Sequence, residues 1–334
     1  MQELFSEIWE KYGVGEVLIA ERISKGFLSE NFVLSTASGK WFLKRYRPMS
    51  EARVREIHAA KKFFHDGGVP VILPVETKKG ETFFAHEGSF YALFPFVSGL
   101  QPERFSQEMT DEMIVSLGQT LARMHLLGKG SDLKCESEKA DGWDKKASLE
   151  TAGKLEKVIK NLPRQTEFDA LAFQTIALKK KLIEDNKVRL EDLRLTADHL
   201  IHGDYHDQNV FWDSKGKISH VFDFEKTRYT PRTSELFRSA LYSFFDEDTE
   251  MSLERIHMYL RAYLEIYPMS DRELYDGFLA HRLGEIHGFW IEKEHYFKNN
   301  TRVDELLKSS FLRIKFFSER PDVLEFYLVS GVTT

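Results

Sequence analysis

The chain has 334 residues, 42% hydrophobic and 30% charged, which is enough for two domains or two lobes with cores of their own and excludes a short peptide-like module. Its 47 Lys and Arg stand against 53 Asp and Glu, a net charge of −6 with no basic block to follow a phosphate backbone, so nucleic acid is not an expected partner. Cys135, the single cysteine, cannot form an internal disulfide, and neither a signal peptide nor a run approaching roughly 18 apolar residues is present, so the expectation is a cytoplasmic protein without a membrane partner.

In chain order, residues 2–12 place Leu4, Ile8 and Trp9 at helical spacing and stop at Gly13. Residues 16–46 break into three β-rich runs, EVLIAERIS, NFVLST and KWFLKRY, separated by glycine-bearing turns, which predicts an antiparallel meander. Ser50 is positioned to cap a helix over 50–66 whose Val54, Ile57, Ala60, Phe63 and Phe64 form one stripe ending at Gly67 and Gly68. VILPVET, ETFFAHE and SFYALFPFV then predict two or three further strands, about five in all around one helix.

Beyond Gly99 the pattern turns helical, first over MTDEMIVSLGQTLARMHLLG and then in two charged helices between 149 and 195, with Pro163 in the break. NVFWD and SHVFDF flank the turn SKGK as a short hairpin, and 233–317 is helical and aromatic. The acidic excess lies wholly after residue 97, where acidic residues outnumber basic ones by seven. No internal repeat, zinc-ligand spacing, GxSxG or Walker sequence occurs.

The segment IHGDYHDQNVFWDSKGKISHVFDFE carries the chemistry. Asp204, Asn209 and Asp223 follow one another at intervals of five and fourteen residues across a loop and a hairpin. Phosphoryl transfer explains such a set: one carboxylate accepts the proton of an acceptor hydroxyl, while an Asn and a second Asp hold magnesium on nucleotide phosphates. With His202, Gly203, Asp204, His206 and Asn209 forming HGDxHxxN, the sequence resembles the aminoglycoside phosphotransferase and choline kinase branch of small-molecule kinases.

That resemblance spans essentially the whole chain and implies an α+β, bilobal, protein-kinase-like fold, with a β-rich nucleotide-binding lobe at 1–97 and a mainly helical catalytic and acceptor-binding lobe at 98–334. It implies Asp204 as the catalytic carboxylate, Asn209 and Asp223 as magnesium ligands, and Lys44 of the third strand on the phosphates of ATP or GTP. Glu56, six residues into the following helix, is the expected partner of Lys44; Glu51 competes but sits at the helix start, where the dipole alone favours a carboxylate. Gly26 and Ser29 of the loop SKGFLSEN are placed to approach phosphates. The backbone around Phe94 to Phe96 is placed to meet the adenine edge, with Leu93 and Ile72 walling the pocket.

Glu225 follows the metal Asp where it could serve metal, acceptor, Lys226 or Arg228, and Glu235 stands where the family usually has an Asp bracing the catalytic loop. The stripe Phe289, Trp290, Tyr296 with Glu285, Glu292, Glu294 and His295 reads as a core helix with a charged outer face, or as an acceptor wall. The expected reaction is transfer of the γ-phosphoryl group to a hydroxyl of a small, amino-bearing acceptor. The alternatives are a protein kinase, against which the short stretch after Asp223 speaks, and a nucleotide-binding pseudokinase scaffold, against which the filled chemical positions speak.

Overall fold

The computed structural model describes residues 2–23, 31–46, 48–103, 108–137, 143–320 and 323. The β-rich part opens with α1 (Gln2–Tyr12), continues through β1 (Val17–Ile23), β2 (Asn31–Thr36) and β3 (Gly39–Arg45), crosses to α2 (Glu51–Asp66), and closes with β4 (Phe84–His86) and β5 (Ser89–Pro95). The five strands form one antiparallel sheet in the order β1-β2-β3-β5-β4. VILPVET is not one of them; Pro70 precedes it and Pro74 interrupts it, removing ladder donors, and only Val71 makes a bridge, to Val221.

Strand alternation gives this sheet two buried faces. Phe32, Leu34, Leu43 and Leu93 pack with Leu4 and Ile8 of α1 on one side. Ala92, Phe94 and Tyr46 pack with Val54 of α2 on the other. The β3–β5 register sets Lys44 opposite Ala92 and Leu43 opposite Leu93, so Lys44 lies on the α2 face. Ser50 caps α2 as the sequence predicts, its hydroxyl accepting from the Arg53 N–H at 3.2 Å.

The helical part holds α3 (Asp111–Gly128), α4 (Lys145–Lys160), α5 (Glu167–Asp185), α6 (Arg232–Phe244), α7 (Thr249–Ile266), α8 (Asp271–His287), α9 (Trp290–Lys298) and α10 (Leu306–Glu319). Its main core joins Leu117 and Leu121 of α3, Phe237 and Phe244 of α6 and Tyr259 and Tyr263 of α7, and extends to Ile57, Ala60 and Phe64 of α2, so one apolar cluster ties α2 to the helical part. Gly118 lets α3 and α7 meet closely: a Cβ there would stand 2.5 Å from the Tyr259 carbonyl oxygen. The architecture is the bilobal α+β arrangement the sequence implies. No described helix is long and apolar enough to cross a membrane.

Two small strand pairs carry the functional loops. β6 (His199–Ile201) pairs with β9 (Arg228–Thr230), and β7 (Val210–Trp212) pairs with β8 (Ile218–Val221) as the predicted hairpin. The β6–β9 pair sets the loop leaving β6 beside the turn entering β9, and Thr227 fastens them by donating its hydroxyl to the Ile201 carbonyl at 2.6 Å. Residues 202–209 and 222–227 thereby face one another.

Candidate active site

The loop after β6 begins with Gly203 at φ 86°, where a Cβ would lie 1.9 Å from the Lys226 carbonyl oxygen, so only glycine fits. Glu235, fully inside the protein on α6, holds this loop from below. Its two carboxylate oxygens accept from the backbone N–H groups of His202 at 3.1 Å, of Gly203, and of Tyr205 at 3.3 Å. His125 of α3 adds a fourth bond at 3.0 Å. Burial pushes the Glu235 carboxyl up, and the His125 hydrogen bond with the surrounding donors outweighs it, leaving the group below its ordinary value. Burial lowers His125 as well, so the neutral ring donates Nε2–H to Glu235 and accepts from the Tyr263 hydroxyl at Nδ1, 2.8 Å away. The Glu in place of the family's Asp therefore reaches the loop.

Asp204 projects from that loop between two cations: Lys226 Nζ is 3.0 Å from its Oδ2, and Arg238 of α6 binds its Oδ1. Burial alone would raise this carboxyl, but Arg238 and then Lys226 hold it well below the usual carboxylate range. It is an anion throughout the physiological range, placed to orient a donor. Asn209 closes the loop on itself, donating to the Asp204 carbonyl at 2.8 Å and contacting His206 Nε2 at 3.1 Å, while its own carbonyl accepts from Phe222 N–H at 3.1 Å. His206 thus orders the loop.

Asp223 follows in the left-handed region at φ 67°, a conformation that an aspartate tolerates better than most residues. Lys44 Nζ reaches it at 2.8 Å and reaches Glu225 Oε1 at 2.6 Å. Burial pulls the Lys44 ammonium down, but Asp223 and Glu225 together hold it above its ordinary value and charged. Asp223 is held below its ordinary value: burial raises it and Lys44 more than compensates. The Asp223 side chain keeps 39% of its surface exposed, whereas Glu225 keeps 4%. Magnesium in such sites takes one or two carboxylates and completes its shell with phosphates and water, and an ionised, accessible Asp223 beside Asn209 fits that donor set.

The geometry corrects two sequence-derived expectations. Glu56 does not hold Lys44. It binds Arg53 Nη1 at 3.1 Å, and Arg53 spans from α2 to the segment after Asp223, donating through Nη2 to the carbonyls of Glu225 and Thr227. Glu51 pairs with Arg55 at 2.8 Å on the surface. The Lys44 partner from beyond Asp223 is Glu225. Leu93 lies on the α1 face of the sheet, away from Lys44, because β-strand alternation puts Phe90, Ala92 and Phe94 of β5 on the face of Lys44 and Leu93 on the other. Phe96 N–H donates to the Lys40 carbonyl at 3.4 Å, extending the β3–β5 ladder, and its ring lies under the Lys40 ammonium. Phe94 is buried in the α2-side cluster with Ile72 against it. Gly26 and Ser29 lie outside the described residues.

Sequence reasoning did not find Arg238, Lys226, Arg53 or Lys61 in this region. Lys61 of α2 is 4% exposed, between the rings of Phe94 at 4.9 Å and Phe224 at 5.2 Å, with Ile72 O accepting from it at 3.3 Å. A signal for Arg238 existed: it stands three residues after Glu235 and so shares its helix face. The stripe carboxylates are structural, Glu292 with Lys179 at 3.0 Å and Glu285 with Arg313 at 2.8 Å.

Residues 19–273 match the family model described as "Phosphotransferase enzyme family". A homoserine kinase of Methylobacillus glycogenes is 24% identical over 271 residues, covering 79% of this chain and 76% of the relative. A homoserine kinase of Neisseria meningitidis serogroup B is 24% identical over 293 residues, covering 84% and 85%. Among solved structures, an amicoumacin kinase in complex with AMP-PNP and Ca2+ superposes with a TM-score of 0.63 at 15% identity, covering 96% of this chain and 93% of that one. A microcompartment-associated aminopropanol kinase superposes with a TM-score of 0.61 at 15% identity, covering 95% and 97%. These structural likenesses establish the fold. The family model covers most of the chain, and the protein belongs to the phosphotransferase enzyme family that also contains the aminoglycoside kinases its HGDxHxxN loop resembles.

Proposed function

We propose that the protein is a magnesium-dependent kinase that transfers the γ-phosphoryl group of ATP to a hydroxyl of a small, amino-bearing molecule, with residues 1–97 as the nucleotide lobe and 98–334 as the catalytic and acceptor lobe. The observation that carries the reading is that Lys44 of β3 and Asp223, Asn209 and Asp204 of two separate loops come together, Lys44 on Asp223, Asn209 on the Asp204 carbonyl and the Asn209 carbonyl on Phe222 N–H. A homoserine kinase among the relatives and an aminopropanol kinase among the structural neighbours support a small acceptor with both a hydroxyl and an amine.

In this reading Asp204 orients the acceptor hydroxyl and takes its proton as the oxygen–phosphorus bond forms and the bond from the γ-phosphorus to the β,γ-bridging oxygen breaks, releasing ADP, a contribution of roughly 10² to 10⁴ in rate. Lys44, charged and fixed between two carboxylates, supplies its ammonium to the nucleotide phosphates. Asp223 and Asn209 would hold magnesium, which neutralises phosphate charge when bound. Glu235 keeps the loop amides, and with them Asp204, in place.

The test is ATP turnover over a panel of amino alcohols, amino sugars and hydroxy amino acids. Lys44→Ala and Asp204→Asn should each abolish it, the first through the nucleotide and the second through the hydroxyl. Wild-type turnover in both variants would overturn the assignment. Phosphorylation of protein in place of every small molecule would favour a protein kinase, and nucleotide binding with no turnover a scaffold.

A further inference from the structure

We infer that Lys61 of α2 is a positioning residue for Asp223, its amine fixing both flanks of the segment that presents this carboxylate to magnesium. This rests on the kinase reading and specifies what sets the metal affinity of its site. Lys61 is 4% exposed, and its amine meets the Ile72 carbonyl, which accepts from it at 3.3 Å, and the rings of Phe94 and Phe224 at 4.9 and 5.2 Å. Among the described residues no carboxylate is in ion-pair contact with it. Burial and the Lys44 ammonium oppose its charge, and Asp223 and Glu225 favour it from a distance. An apolar residue of the same length would fill this slot without taking an amine out of water, so packing alone does not account for a lysine here.

Asp223 needs such support because its backbone is left-handed, at φ 67°, a conformation that a residue with a Cβ keeps only when its neighbours fix it. Before it, Phe222 N–H donates to the Asn209 carbonyl at 3.1 Å, and the Phe222 carbonyl accepts from His202 Nε2 at 2.8 Å. After it, the buried Phe224 ring lies 4.2 Å from the His202 ring and 5.8 Å from Phe64, with the Lys61 amine over it. The Ile72 contact reaches the same segment from upstream. Ile72 N–H donates to the Val221 carbonyl at 3.1 Å and Val221 N–H to the Pro70 carbonyl at 2.8 Å, which ties residues 70–72 to β8 two residues before Asp223. One amine therefore holds the backbone ahead of Asp223 and the ring behind it. Phe94 belongs to the sheet-side cluster and Phe224 to the main core, so Lys61 also registers the end of β5 against this loop.

The amine does this in either protonation state, since it donates N–H to the Ile72 carbonyl and to the ring faces whether charged or neutral. Methionine keeps the stem between the two rings and loses every one of those donors. Without them Phe224 is released on one side, and Asp223 spends part of its time outside the left-handed conformation. Its carboxylate then meets the metal only in the remaining fraction, and the apparent affinity for the metal-bound nucleotide falls by that fraction. Lys44 keeps Glu225 throughout, so the metal-free nucleotide loses little.

The experiment measures the Kd of AMP-PNP for the full chain by titration calorimetry, once with EDTA and once with excess magnesium, beside urea unfolding of the ligand-free protein at pH 6. In Lys61→Met the Kd with magnesium should rise by about tenfold, the metal-ready fraction having fallen to about a tenth, while the Kd in EDTA stays within about twofold. Ligand-free stability should match or exceed that of the parent, because a buried amine has been removed. A purely structural role would lower stability and leave the gain from magnesium where it was. Phe224→Leu should weaken the magnesium complex in the same way, and adding Lys61→Met to it should cost less than about twofold more, since the ring on which the amine acts is gone. An unchanged gain from magnesium in Lys61→Met overturns the inference, as does full additivity of the two substitutions. If magnesium does not tighten AMP-PNP binding to the parent, the metal assignment falls and the inference with it; if the parent binds no AMP-PNP under either condition, the kinase reading fails as well.

Discussion

Lys44 Nζ lies 2.6 Å from Glu225 Oε1, and that carboxylate comes from two residues beyond Asp223 in the chain, not from α2. Asp223 shares the ammonium at 2.8 Å. If Asp223 turns to a metal ion, as proposed, Glu225 is left to hold Lys44. Glu56 acts at one remove, orienting Arg53, whose guanidinium fixes the Glu225 carbonyl. Glu225→Gln should therefore weaken nucleotide use strongly, by about tenfold or more in kcat/KM for ATP, because a buried ammonium loses a charged partner. Glu56→Gln should cost less, since Arg53 keeps its two carbonyl acceptors. Steady-state kinetics at varied ATP separates the two, and a larger effect at position 56 would return the role to α2.

Glu235 is the second carboxylate with a positional task. It satisfies three backbone donors of the catalytic loop and one ring N–H from a site with no access to water. Glu235→Ala leaves those donors without partners, at about 1–3 kcal/mol for each buried group that finds no substitute. The expected result is a large loss of stability in denaturant unfolding together with a fall in kcat as Asp204 loses its support. Glu235→Asp should fold, with a smaller loss, because a carboxylate remains. A Glu235→Ala variant as stable as the parent would remove the bracing role.

Both relationships show where sequence reasoning reaches and where it stops. The spacing of Asn209 and Asp223 was legible because the five residues 213–217 close the β7–β8 hairpin between them, and Asp204 stands five residues before Asn209 in one loop, so local chain geometry sets the distances. Ser50 and the α2 stripe were legible for the same reason. The partner of Lys44 was not, since Glu225 is distant in sequence and convergence is decided by how the two parts pack. The face of Leu93 depended on the β3–β5 register, which no local pattern encodes. The β6–β9 pair escaped notice because strands of three residues carry no alternation to read, and tertiary contacts such as Thr227 to Ile201 hold them.

Lys61 gives the site a pH dependence of its own. Burial first, and the nearby Lys44 ammonium second, lower its ammonium to about 7, against about 10.5 in an open chain. Between those two values the unfolded chain binds more protons than the folded one, so this group makes stability rise with pH from about 7 to about 10; below 7 the folded state carries the full penalty of a buried charge. Lys61→Met removes the group while keeping an apolar chain between Phe94 and Phe224. The variant should gain most over the parent near pH 6, with the difference shrinking as pH approaches 10. Urea unfolding of both proteins at pH 6, 8 and 9.5 tests this, and parallel stability curves would count against a titrating Lys61.

The metal assignment can be examined before any acceptor is identified, because a ligand that binds only the folded state stabilises it. At about 100 times its dissociation constant a ligand contributes roughly 2.7 kcal/mol, which for a chain of this size raises the melting temperature by several degrees. AMP-PNP should give such a shift, and magnesium should enlarge it if Asp223 and Asn209 hold the ion between the nucleotide phosphates. Asp223→Asn replaces the accessible charged oxygen by an amide and should erase the magnesium-dependent part. Lys44 keeps Glu225 in that variant, so the magnesium-independent part should survive. Asp204→Asn should retain both parts, since Asp204 faces Lys226 and Arg238 on the acceptor side and its loss removes chemistry while leaving nucleotide and metal bound. A magnesium increment that persists in Asp223→Asn would move the ion to other ligands, with Glu225 the next carboxylate to replace.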